Sequence, residues 1–250
     1  ESIGESIGDP NPLLGDQFYQ FHAWTVLARK MLAAGEWPTW NPTINGGQPL
    51  FGNGLSGTLS PFTLLGQLFP FPISYLISAL LRLWVAGMFT YLYARAIGLS
   101  LPAAWLAMLT FTFSGPLISW LWGTPSHVLA WLPALLWTGE KLLQARNLRW
   151  VLAAAGALAL LILSGQPEVA FQIGLVWATY LLARAWWLEG GLWLALRRHA
   201  PWWALVAVLG IGLAAVEILG FVDALRQSVV FHHRQIGDAT GLAEWLRRTL

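Results

Sequence analysis

Asp16 stands in Gly15-Asp16-Gln17-Phe18, ahead of a loop dense in Trp, Pro and Gly. That loop runs Gly35-Glu36-Trp37-Pro38-Thr39-Trp40-Asn41-Pro42 and continues to Gly46-Gly47-Gln48-Pro49. A loop carboxylate can take the proton from an attacking hydroxyl, or can help to hold a divalent cation. It can also cap a helix, and the residues from Gln17 predict an amphipathic helix to about Ala34. The two roles are compatible. Glu36, Trp37, Trp40 and Asn41 are the loop residues that could meet a ligand, with the indoles resting at a membrane interface. The same four residues could equally make an ordered structural loop.

Three other places carry chemistry-bearing side chains. Ser164-Gly165-Gln166-Pro167-Glu168 reads as a tight turn, and Gln166 with Glu168 offers the paired hydrogen-bonding groups that suit a sugar. Arg82 falls near the middle of an apolar segment, where a charge costs about 2.5–3.5 kcal/mol. It should therefore face the bundle interior, a cavity or a partner acid. It could bind an anionic head group, snorkel, or lock helices together. Arg226 is basic on a C-terminal amphipathic stretch and could pair with Asp223 at i,i+3. Glu217, inside the end of the last apolar segment, should be protonated, paired or set in a wet cavity. His127 could be structural or a ligand. His232 and His233 are adjacent, do not share a helix face, and predict no metal site.

The elements that must position these residues follow from composition. The chain is 56% hydrophobic and 10% charged, with a mean hydropathy of +0.57, against roughly 25% charged for a soluble domain. This is the balance of an integral membrane protein. The net charge of +2 forms no basic patch, which excludes a nucleic-acid partner. With 17 Trp residues, the chain suits the bilayer interface, and with no Cys it has neither disulfides nor thiolate metal sites.

A bilayer core about 30 Å thick needs about 20 apolar residues in a helix. Six segments qualify: 72–96, 102–122, 126–144, 149–164, 168–188 and 201–222. Residues 55–70 are apolar but broken by Gly57, Pro61, Gly66 and Pro70, and predict a re-entrant or interfacial element. The expected fold is an all-α polytopic bundle. Residues 1–71 form an N-terminal loop region, 72–222 the bundle, and 223–250 an amphipathic tail. Arg95, then Lys141, Arg146 and Arg149, then Arg184, Arg197 and Arg198 fall in alternate connections, while the connections around 123–126 and 164–167 carry no Lys or Arg. The positive-inside rule makes the first set cytoplasmic and puts both terminal segments outside a cell membrane. Only Glu140 and Glu189 of the 12 acidic residues then lie on the cytoplasmic side.

Gly15-Asp16-Gln17-Phe18 through His22, Gly35-Glu36-Trp37-Pro38 with Trp40-Asn41-Pro42, and Gly46-Gly47-Gln48-Pro49-Leu50 together resemble the bacterial YfhO-like membrane proteins. The likeness continues in Ser60-Pro61-Phe62, Ala86-Gly87 with Tyr91 and Arg95, Phe113-Ser114-Gly115, and Ser164 to Glu168. It ends in Glu217-Ile218-Leu219 with Arg226 and Ser228. It covers the N-terminal portion of such proteins, without the first transmembrane helix that precedes the acidic loop. Such proteins are similar to the GT-C glycosyltransferases, which take sugar from a polyprenyl-phosphate carrier at the outer face. The resemblance implies that Asp16 is the catalytic acid-loop residue or, with a divalent cation, a metal ligand. Trp37 and Trp40 would then stack on a sugar or line a lipid groove, and Arg82 and Arg226 would serve the lipid phosphate.

Two functions are expected from this. One is transfer of a sugar from a lipid carrier; the other is a non-catalytic subunit that packs against lipids or other membrane subunits. Transport is disfavoured, since no inverted repeat or pair of broken midplane helices is visible in the sequence.

Overall fold

The computed structural model describes Gly15 and residues 17–44, 46–71 and 73–228. Over these residues the fold is all-α apart from one small hairpin. A π-helical turn, Gln17–Phe21, leads into α1 (His22–Ala33). Next comes an antiparallel pair, β1 (Trp40–Asn41) and β2 (Gln48–Pro49), in the register Trp40 to Pro49 and Asn41 to Gln48. A 3-10 turn (Phe51–Asn53) follows, then α2 (Pro61–Gln67), which lies within the stretch expected to be re-entrant. The bundle comprises α3 (Ile73–Ala96), α4 (Leu101–Thr112), α5 (Gly115–Ser119), α6 (Thr124–Leu129) and α7 (Leu132–Ala145). After these come α8 (Leu148–Ile162), α9 (Pro167–Glu189), α10 (Leu192–Leu213) and α11 (Ala215–Arg226).

Proline punctuates this chain. α2, α4, α5, α6, α7 and α9 each carry Pro within their first two positions, where the missing N–H costs nothing and the ring pre-sets φ. Two of these prolines also mark the end of the helix before them. Pro116 cannot bond the carbonyl of Thr112, where α4 stops, and Pro133 cannot bond that of Leu129, where α6 stops. Asn147 opens α8 in a different way, its side chain accepting from the Trp150 amide.

Among the described residues three stretches, Ile73–Ala96, Leu101–Ser119 and Pro167–Glu189, are long and apolar enough to cross a membrane, and α10 with α11 makes a fourth if counted as one bent span. The six expected spans are thus reduced to three or four. Residues 126–144 are not one helix, because Pro133 divides them between α6 and α7. The segment 149–164 yields α8, which at 15 residues is about 22 Å long, short of a bilayer core of about 30 Å. The last expected span, 201–222, also fails as a unit. α10 starts earlier, runs through Pro201, and meets α11 at a 68° bend.

At the centre, α7 packs on α3, α8 and α9, while α8 also packs on α10. Small residues allow these close approaches. Ala154, Ala155, Ala157 and Ala159 are buried on α8, and Gly210 of α10 lies directly against Leu158. The Trp177 indole crosses from α9 to donate to the Leu135 carbonyl at 2.8 Å, passing over Gly139.

The bend at Ala214 seats α11 on the 3-10 turn. A Cβ on Gly52 would stand 2.4 Å from the Gly220 carbonyl oxygen, and one on Gly220 would meet the Phe51 ring at 2.8 Å. Gly52→Ala should therefore pry α11 from the turn and cost about 1–3 kcal/mol, as overpacking does. A fall in the melting temperature of the protein in lipid nanodiscs checks this; an unchanged value would mean that the contact is slack.

Candidate functional site

The N-terminal half of α3 carries a polar stripe, Ser74, Ser78 and Arg82, spaced i, i+4, i+8 on an otherwise apolar helix. All three are buried, and Arg82 is only 1% exposed. Its Nε donates to the Ser78 carbonyl at 3.0 Å, and its Nη1 donates to Ser126 Oγ at 2.8 Å and to the Gly123 carbonyl at 3.4 Å. All of these partners are neutral. No described carboxylate lies within ion-pair distance of the guanidinium.

A cavity of about 40 Å³ opens beside Arg82, lined also by Thr25, Ser56, Thr63, Gln67, Ser74, Tyr75, Thr124 and His127. Among the described residues no acidic side chain lines it. Gln67 Nε2 is buried there and has no hydrogen-bond partner among the described residues. A charged donor, a free amide donor and a ring of hydroxyls, with no described carboxylate opposing them, are groups that can hydrogen-bond an anion.

Thr124 and His127, which line this cavity, are tied to distant segments of the chain. Gln166 holds the left-handed conformation at φ 53°, which costs a non-glycine residue roughly 1–2 kcal/mol. Three hydrogen bonds hold it there. Its amide donates to the Gly54 carbonyl at 2.6 Å, its Oε1 accepts from Thr124 Oγ1 at 2.8 Å, and its Nε2 donates to Glu168. His127 Nδ1 and Ser60 Oγ share a further hydrogen bond at 2.8 Å. Burial, and after it the charge of Arg82, hold the His127 imidazole well below its ordinary range, so the ring is neutral. Ser60 is fully buried, so this pair joins the α2 entrance to α6 and offers no nucleophile.

Beside that platform lies a larger cavity of about 550 Å³, between the hairpin and α11. Trp40, Gln48, Pro49 and Asn53 face Phe221, Leu225, Gln227 and Ser228 across it. Asn41 is buried, and its Oδ1 accepts from the amide and hydroxyl of Thr43, which fixes the turn of the hairpin.

The predicted residues are distributed as follows. Asp16, the expected catalytic residue, lies outside the described residues. Phe21 and Thr25, in the turns that follow it, line the Arg82 cavity. Glu36 and Trp37 are exposed on the loop after α1, Trp37 at 70%. Trp40 lines the larger cavity, and Arg226 ends α11 beside Leu225 and Gln227 of its far wall. Arg82, Gln166 and Glu168 are joined through Ser126 and Thr124 of α6. Among the described residues no group of three or more His, Asp and Glu could hold a metal ion. Gln67, Thr63, Ser74, Ser78 and Thr124 escaped the sequence reading. The hydroxyls four and eight residues before Arg82 were the available signal.

At the opposite end of the bundle two carboxylates act as clamps. Glu140, fully buried on α7, accepts from Arg184 at 3.0 and 3.1 Å, Tyr180 at 2.6 Å and Gln144 at 3.0 Å. Glu189 gathers Arg198, Arg146 at 3.7 Å and His199 at 3.1 Å. These groups join helix ends and border no cavity described above. No protein-family model, curated protein or solved structure matches the chain.

Proposed function

We propose that this chain is a membrane-embedded transferase of the GT-C kind, taking a sugar from a polyprenyl-phosphate carrier at the outer face. One observation carries the reading: a fully buried guanidinium, unpaired by any described carboxylate, lining a cavity of donors. Leaving an arginine so placed is costly unless an anion visits, and a lipid phosphate is the anion available at membrane depth. The orientation rests on the basic connections. Arg95, Lys141, Arg146, Arg149 and Arg197 cluster at the end away from Arg82, which makes that end cytosolic by the positive-inside rule.

In this chemistry an acceptor hydroxyl attacks the anomeric carbon and the bond from that carbon to the phosphate oxygen breaks. The electron pair leaves on the lipid phosphate, whose growing charge Arg82 and the Gln67 amide stabilise. The hydroxyl proton passes to Asp16, on the segment just before Phe21. Gln166 and Glu168, braced by Gly54 and Thr124, present hydrogen-bonding groups to the sugar.

Asp16→Asn should lower transfer from a radiolabelled polyprenyl-phosphate sugar by at least about 10²-fold, the usual worth of a general base, at unchanged yield of folded protein. Retained turnover would remove Asp16 from the chemistry. A wild-type protein in nanodiscs that neither binds polyprenyl phosphate nor releases sugar would sink the enzyme. The second reading, a non-catalytic subunit, draws on the aromatic surface around the α9–α10 turn. Trp186, Trp187 and Trp193 are 58%, 73% and 78% exposed there. Co-purification with a membrane partner at fixed stoichiometry would favour it.

A further inference from the structure

The walls of the 550 Å³ groove are built, not incidental. The Trp40 indole lies against Gly47, where a Cβ would be 2.6 Å from the ring. Gly47 itself sits at φ 112°, which a side chain rarely adopts. Trp40 is thereby held in place by its own hairpin while remaining 48% exposed. Across the groove, the Gly52–Gly220 contact presses α11 against the 3-10 turn and places Phe221 opposite. Asn53 Oδ1 accepts from the amides of Leu55 and Ser56, which orients its carboxamide. Its Nδ2 has no partner among the described residues.

The lining is chemically selective. It combines an aromatic face, the amides of Gln48, Asn53 and Gln227, and the hydroxyl of Ser228, and among the described residues it contains no Lys, Arg, Asp or Glu. An ion would find no counter-charge among these residues, and a purely apolar ligand would leave Asn53 Nδ2 without a partner. A ligand with an apolar ring face and a rim of hydroxyls satisfies both halves of the lining. The volume lies within the range of about 300–1,000 Å³ typical of small-molecule sites.

We infer that this groove is a binding site for a neutral saccharide, separate from the anion cavity at Arg82. Binding here requires no catalytic step; under the transfer reading the occupant would be the acceptor.

The test is saturation-transfer NMR on the full chain in nanodiscs with maltose, cellobiose and lactose as probes. Wild type should transfer saturation to the ring protons of at least one of them. Trp40→Ala should reduce that signal at least fivefold. Gly47→Ala, which displaces the indole, should do the same, and Gln227→Ala should reduce it by a smaller factor. Trp187→Ala, remote on α9, and Arg82→Met should leave it unchanged, so that failure of the transfer reading does not touch this one. No transfer from wild type, or an unaltered signal in Trp40→Ala with Gln227→Ala, would overturn the assignment. So would equal loss in Trp187→Ala, which would mark non-specific contact with exposed indoles.

Discussion

Arg82→Met should weaken binding of polyprenyl phosphate while leaving the protein as stable as wild type or more so. The two halves of this expectation have separate causes. Hydrogen bonds to a charged group are worth about 1.5–3 kcal/mol, so losing the guanidinium should weaken phosphate binding by about 10- to 100-fold. Stability moves the other way, because methionine fills a similar volume and removes a buried charge whose only partners are neutral. Swaps of that kind are neutral or stabilising by about 1–4 kcal/mol. Ser126 is not orphaned, since its hydroxyl still donates to the Gly123 carbonyl at 2.9 Å. Arg82→Lys should fall between, keeping the charge and losing the planar fork. Binding measured by microscale thermophoresis, paired with thermal melts of the same samples, decides it. A variant that melts much lower would make Arg82 a structural lock, and one that binds normally would empty the anion site.

At the other end of the bundle the expected sign is reversed. Glu140→Ala should cost about 3 kcal/mol, the lower end of the range for breaking a buried ion pair. The lower end applies because the Arg184 side chain is 25% exposed and water can recover part of its charge. Tyr180 and Gln144 would lose an acceptor as well, and Gln144 Nε2 would keep its bond to the Ala96 carbonyl at 3.0 Å. Because Glu140 joins α7 to α9 and, through Gln144, to the end of α3, the loss should appear as a lower melting temperature of the whole bundle. The double variant Glu140→Ala/Arg184→Ala should recover part of that loss, since the two side chains interact directly. Full additivity of the two single variants would show that the pair contributes nothing as a pair.

Much of this architecture was legible along the chain. The expected spans 72–96 and 168–188 agree with α3 and α9 to within a residue, because a continuous apolar run bounded by polar turns specifies a helix without outside help. The cost of its charge pointed Arg82 to the interior, a cavity or a partner acid, with snorkelling left open, and the fold buries it beside a small cavity. The broken stretch 55–70 resolved into a single short helix opened by Pro61. Hydropathy averages over a window and does not register where a helix stops. The position of Pro133 carried the break between α6 and α7, yet the apolar residues on both sides hid it. The bend at Ala214 has no proline to announce it and depends on Gly52 and Phe51, more than 160 residues away in the chain, pressing on Gly220.

The sites divide along the same line. Residue type and local spacing by themselves determined an apolar helical protein, a costly inward arginine and a structured aromatic loop, since each follows from the free energy of one segment in water or lipid. Only the tertiary structure decided which groups meet. Gln166 reaches Gly54 and Thr124, Glu140 receives Arg184 and Tyr180 from α9, 40 or more residues away, and Trp40 faces α11 across a groove. Such contacts stabilise the folded chain only once loop closure has brought distant segments together, and no short stretch of sequence records that distance.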